Sequence, residues 1–103
     1  MSESFYKIEE DVVYTYISHR IEDVHSTKSG NDFQQAVIEC SDGISTVPRY
    51  IGGKFIIKSL ETPDFIRKGE KFVVERVPFK GEFGEDKFFR RITNKTRGIK
   101  LSS

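Results

Sequence analysis

The chain has 103 residues, 36% apolar and 32% charged, with a formal net charge of +1. That length holds one modest core and predicts a single domain over 1–103. No apolar run approaches the roughly 18 residues a membrane helix needs, the plentiful Phe, Val and Ile exclude a disordered polymer, and a lone cysteine, Cys40, excludes an internal disulfide.

Residues 1–11 read as a flexible lead-in. MSESFYKIEEDVV carries acidic groups where a secretion signal would be basic and then apolar, which predicts an intracellular protein, cytoplasmic or nucleoid/nuclear. Over 5–24 two periods compete. Phe5, Ile8, Val12, Tyr16, Ile17, Ile21 and Val24 fit a helical stripe. Yet VVYTYIS is rich in β-branched and aromatic residues, which favour a pleated surface. A long strand over 12–24 is the better fit, and the helix stays open.

STKSGND then supplies the residues that tolerate tight turns. FQQAVIEC alternates, with Gln34, Ala36, Ile38 and Cys40 on the expected core face and Phe33, Gln35, Val37 and Glu39 on the other. SDG closes this strand. ISTVPRYI follows as a third, where Pro48 predicts an edge, a bulge or a strand end. Residues 52–69 are irregular, with a strand or a short helix around Phe55–Leu60 and a turn or helix start at Thr62-Pro63-Asp64. EKFVVERVPF (70–79) and KFFRRIT (87–93) read as an antiparallel pair around the loop KGEFGED (80–86). Residues 95–103 form a flexible tail with room for a short strand around Gly98–Leu101.

The predicted fold class is all-β with at most one or two short helices. Five strands, with a helical or irregular connection between the third and fourth, resemble the OB-fold superfamily, a small, partly open Greek-key barrel. The resemblance covers about 12–93 and rests on pattern: a long first strand running into Lys28-Ser29-Gly30-Asn31, the turn Ser41-Asp42-Gly43, the segment Ile66–Phe72 with its Lys-Gly-Glu-Lys, and a glycine-bearing loop before the last strand. Pro48 and the acidic lead-in depart from it. An SH3-like barrel and a β-roll remain alternatives.

Signals for catalysis are weak. There is no CxxC, HExxH or Walker-type loop, and His19, His25, Asp23 and Cys40 do not make a metal set by spacing. The expectation is a non-catalytic protein with no cofactor and no metal. Charge is more informative. Residues 1–43 hold three basic and nine acidic groups, residues 44–103 fourteen and seven, and residues 87–100 six basic and no acidic. Basic and aromatic residues interleave in the second half: Arg49-Tyr50, Lys54-Phe55, Lys80 with Phe83, and Lys87-Phe88-Phe89-Arg90-Arg91. Cations meet phosphates while rings stack on unpaired bases, so this mixture points to single-stranded nucleic acid, DNA ahead of RNA. The candidate site is Phe33, Gln35, Arg49, Tyr50, Lys54, Lys80, Phe83, Lys87, Phe89, Arg90 and Arg91. The resemblance implies binding across the second and third strands and the loops 26–32 and 80–86. Nine phenylalanines without tryptophan are expected to build most of the core, and Phe88 and Phe89 cannot both enter it from one regular strand. The near-balanced charge favours a second reading: a protein-interaction module, such as an accessory subunit of a replication or transcription assembly or a small viral protein on a host factor, with the acidic N-terminal half as contact surface. No membrane association is expected, and the oligomeric state is open.

Overall fold

A computed structural model describes residues 6–100 apart from Ser26 and Ser29. The elements are β1 (Tyr6–Lys7), β2 (Tyr14–His25), β3 (Asp32–Ser41), β4 (Thr46–Gly52), α1 (Lys54–Glu61), β5 (Lys71–Lys80), β6 (Asp86–Asn94) and β7 (Ile99–Lys100). All strands join one open sheet in the order β1-β4-β3-β2-β5-β6-β7. Neighbours are antiparallel except β1, which runs parallel to β4. β2, β3 and β4 are consecutive hairpin strands and β5 returns to the side of β2, which is Greek-key order.

The β-branched and aromatic run at the start of β2 takes the pleated conformation the composition favours. A bulge between Tyr16 and Ser18 divides that strand. Before it, Tyr14 and Thr15 pair with Phe72 and Lys71 of β5. Beyond it, Ser18–His25 pair with β3 alone. In the irregular stretch 52–69, residues 54–61 form a helix that buries Ile56, Ile57 and Leu60. It ends where Thr62 N–H donates to the Ser59 carbonyl and Pro63 biases Thr62 toward extended backbone. Pro48 sits in β4 opposite Glu39, on a strand whose far side, among the described residues, is paired at Arg49 and Tyr50.

The core lies between α1 and the inner face of β2, β3, β4, β5 and β6. Tyr14 stacks on Phe72 at 5.6 Å, among Ile38, Ile56, Val74 and Ile92. Burial pushes the Cys40 thiol up to about 11, so it stays protonated. The radius of gyration is 14.5 Å, against about 13 Å for a compact chain of this length. The excess comes from two hairpin arms, the far ends of β2–β3 and β5–β6, which run past the core into solvent.

Those arms correct two expectations. Gln34, placed on the core face by alternation, is exposed and donates to Asp23 Oδ1, because β3 there has outrun the core. Of the eight described phenylalanines only Phe65 and Phe72 are buried; Ile, Val and Tyr build most of the core instead. Phe88 and Phe89 both stay outside it. The strand count also differs from five. Tyr6–Lys7 and Ile99–Lys100 add short edges, and β4 and β6 do not pair, so the sheet does not close. Arg90 reaches across that gap, donating from Nη2 to the Gly52 carbonyl at 2.8 Å.

Opposite the gap, the loop before β5 is tied to the end of β6. Asn94, fully buried, donates from Nδ2 to the Phe65 carbonyl (2.9 Å) and Glu70 Oε1 (3.1 Å). Its Oδ1 accepts from the Thr96 and Arg97 amides. Arg97 donates to Glu70 Oε2 at 2.6 Å and to the Asp64 carbonyl at 2.7 Å. The Arg97 guanidinium holds the Glu70 carboxyl down at about 2, against an ordinary 4.5. A carboxylate with a depressed folded pKa stabilises the fold above its unfolded value and loses that contribution as pH falls through the folded one. Glu70→Gln is therefore expected to flatten the acid limb of stability between about pH 4.5 and 2. Urea midpoints across that range measure it, and a variant keeping the wild-type slope would assign the limb to other groups.

Candidate functional site

The gap between β4 and β6 is where most of the sequence-derived candidates meet. On β3, of the face that alternation turned outward, Phe33 is exposed and Gln35 half-buried, while Val37 is buried at 3%, against expectation, because that part of the strand is flanked by β2 and β4 on both sides. The register sets Gln35 beside Gly52 and Val37 beside Tyr50, so Phe33, Gln35 and Tyr50 share one face. At the end of β4 the chain turns at Gly53, whose φ of +123° suits glycine, straight into Lys54 and α1. This places Lys54, Phe55 and Lys58 along the rim of the gap, across from Phe33.

Three depressions join there. The largest, about 740 Å³, lies between Phe33 and the start of α1, with Lys54, Lys58 and Glu61 at its edge. A second, about 350 Å³, shares Phe33 and Gly52 with it and extends to Gln35, Tyr50, Lys7 and Arg90. A third, about 410 Å³, shares Phe55 with the first and is otherwise walled by Phe79, Phe88 and Phe89. Phe89 packs against Phe55 at 5.0 Å and Phe79 at 5.9 Å, and the Arg76 guanidinium lies 4.1 Å over Phe88. The three adjoin through shared walls at Phe33, Gly52 and Phe55 and make a trench with Lys54, Lys58 and Arg90 at its margin, Phe88 coming from the opposite face of the β5–β6 ladder to Phe79 and Phe89. Phe33 is 48% exposed, Phe79 44% and Phe88 51%. Contiguous apolar exposure of this kind marks interaction surfaces. Among the described residues Lys54 and Lys58 have no carboxylate within ion-pair distance.

Five candidates lie elsewhere or are already engaged. Arg49 turns inward, only 11% exposed at its side chain. It donates to the Lys7 carbonyl and to Asp42, and covers the rings of Tyr6 and Tyr14. Arg91 faces Glu75 at 3.9 Å across the β5–β6 ladder. Lys80 pairs with Asp86, and Lys87 with Glu85, at the tip of the β5–β6 arm. Phe83, 90% exposed, caps that tip away from the trench.

Phe55, Phe79 and Phe88 were not among the sequence-derived candidates, nor was Lys58. Phe55 and Lys58 lie one turn apart on the same helical face, a spacing readable once the helix is assigned. Phe88 stands in the basic and aromatic run Lys87–Arg91, where it and Phe89 cannot both be core, but that both stay out, and Phe79 with them, follows from how far β5 and β6 outrun the core. On β2, His19 Nδ1 lies 2.6 Å from the Tyr16 hydroxyl, and desolvation lowers its pKa against an opposing pull from Glu61. Among the described residues no three His, Cys, Asp or Glu side chains converge on one point, and no helix is long and apolar enough to cross a membrane. No family model, curated protein or solved structure matches this chain.

Proposed function

We propose that this chain is a non-catalytic, OB-like module that binds single-stranded nucleic acid, DNA ahead of RNA, in the open seam between β4 and β6. The observation that carries the reading is the make-up of that seam: solvent-facing rings from β3, α1, β5 and β6 beside Lys54, Lys58 and Arg90. Unpaired bases offer flat apolar faces at intervals between phosphates, and each base stacked on a ring contributes about 1–3 kcal/mol. A duplex hides those faces and would use the cations alone. The Greek-key order with a helix between the third and fourth long strands supports the OB-like description over an SH3-like barrel or β-roll.

The test is fluorescence anisotropy of labelled single-stranded DNA, single-stranded RNA and duplex of about 20 nucleotides, enough to span one fold. The expected result is preference for single strands. Affinity should fall with salt at a log–log slope of about −2 if three phosphates are neutralised. No binding of any strand at low salt would overturn the reading.

One observation favours the second reading, a protein-interaction module. Arg76 bonds both oxygens of Glu10, and Arg49 pairs with Asp42, so two arginines of the basic half are neutralised by the acidic half. If anisotropy is negative, the same exposed rings become a surface for a protein partner.

A further inference from the structure

Among the described residues, one edge of β2 is unpaired beyond Tyr16. Ser18–His25 are laddered to β3 on one side. On the other side β5 stops at Tyr14 and Thr15, and the loop before β5 covers only Tyr16, through its amide to the Glu70 carbonyl and its carbonyl to the Gly69 amide. Beyond Tyr16 no backbone hydrogen bond among the described residues reaches that outer edge. The stretch contains no proline, glycine or lysine and its bulge lies before it rather than within it; the charges that guard this edge are Arg20, Glu22 and Asp23, of both signs.

The side chains along this edge are self-complementary. In Ser18-His19-Arg20-Ile21-Glu22-Asp23-Val24, Arg20 and Glu22 flank Ile21 with opposite charge, and the polar His19 stands opposite Asp23 in the next position out. If two such edges run antiparallel about a twofold axis at Ile21, Arg20 faces the partner's Glu22 and His19 faces the partner's Asp23. Ser18 then faces the partner's Val24, and Ile21 faces its own copy. A twofold through an antiparallel pair keeps faces matched, so the opposed side chains lie on the same side of the sheet. Registers centred on Arg20, Glu22 or Asp23 instead put like charges opposite each other. Within one chain Arg20 already contacts Glu22 at 2.7 Å, both partly exposed, so pairing would join two such bridges into a four-charge network.

We propose that a second copy of this chain docks along the outer edge of β2, antiparallel and centred on Ile21, making one sheet continuous across the dimer. The interface is smaller than the usual 20–30 residues a side, so association is weak and concentration-dependent. It is independent of nucleic-acid binding, because Arg20 and Glu22 lie outside the trench.

Sedimentation equilibrium of the full chain from about 10 μM to about 1 mM tests it, a range that spans weak dissociation constants. The mass should rise from 11.9 kDa toward twice that value. Arg20→Glu alone and Glu22→Arg alone should each weaken association about tenfold or more, since both charge pairs of the dimer turn repulsive. Mixing the two variants should restore it, because every opposed pair is again of opposite sign. A wild type that stays monomeric at the top concentration would overturn the proposal. So would single variants that associate like wild type, or a mixture that associates no better than its components.

Discussion

Replacing Asn94 with leucine is expected to destabilise the protein by about 2–4 kcal/mol, although the two side chains are similar in size and the site is fully buried. Asn94 uses its full capacity: two donors, to the Phe65 carbonyl and Glu70, and two acceptor positions, filled by the Thr96 and Arg97 amides. Leucine keeps the volume and leaves those backbone groups unpaired in a covered site, where each costs about 1–3 kcal/mol. For a domain of this length that corresponds to a fall in melting temperature of roughly 10–20 °C. Asn94→Asp should be worse at neutral pH, because it loses both donors and sets a second carboxylate beside Glu70. Its deficit should narrow as pH falls and the new carboxyl regains a proton. Thermal and urea denaturation of both variants decide this. A leucine variant within 0.5 kcal/mol of wild type, roughly the scatter of ordinary surface changes, would mean the network is dispensable.

The second large effect concerns binding. Phe33→Ala is expected to weaken single-strand affinity by about 5- to 100-fold, the loss of one stacked base, with the salt slope unchanged. Its half-exposed ring lies outside the core, so thermal stability should hold. Lys54→Ala should cost less affinity but make the slope shallower by about 0.7, one phosphate fewer. Arg49→Ala should behave in the opposite way, lowering stability while leaving the salt slope alone, because its guanidinium is occupied with Lys7, Asp42 and two tyrosine rings. Anisotropy over a salt series separates the three. If Phe33→Ala and Lys54→Ala both bind as wild type does, the trench is not the binding surface.

The sequence made the order of strands legible because turn chemistry and two-residue alternation are local. The Ser, Gly, Asn and Asp clusters punctuate it, and Tyr14–His25, Asp32–Ser41, Lys71–Lys80 and Asp86–Asn94 lie close to where the pattern put them. Local pattern is silent on how far each strand runs beyond the core. Gln34 obeys its alternation and is still exposed, and most of the phenylalanines, assigned to the core by composition, stand on an arm or a rim. The same silence hid the trench, which depends on β4 ending one residue before a helix and on Arg90 spanning the space to β6. Arg49 looked like a phosphate ligand beside Tyr50. On a strand the two residues take opposite faces, and the face that received Arg49 was the tyrosine-lined interior. Asn94 carried one readable hint, an Asn opening the turn Lys95–Gly98, but its bonds to Phe65 and Glu70 join segments far apart in sequence.

β2 meets β5 at only two residue pairs, Tyr14–Phe72 and Thr15–Lys71. Each arm of the sheet is a ribbon closed by a short loop, and such ribbons form within about 1–10 μs on their own. The junction brings together residues more than fifty positions apart, and its loop entropy is offset by the Tyr14–Phe72 stack together with the Glu10–Val74 bridge and the Tyr16 bonds to Gly69 and Glu70. The pairs within each ribbon are therefore local in sequence, and the contacts that turn two ribbons into one fold are the long-range ones, which weigh most on the folding rate.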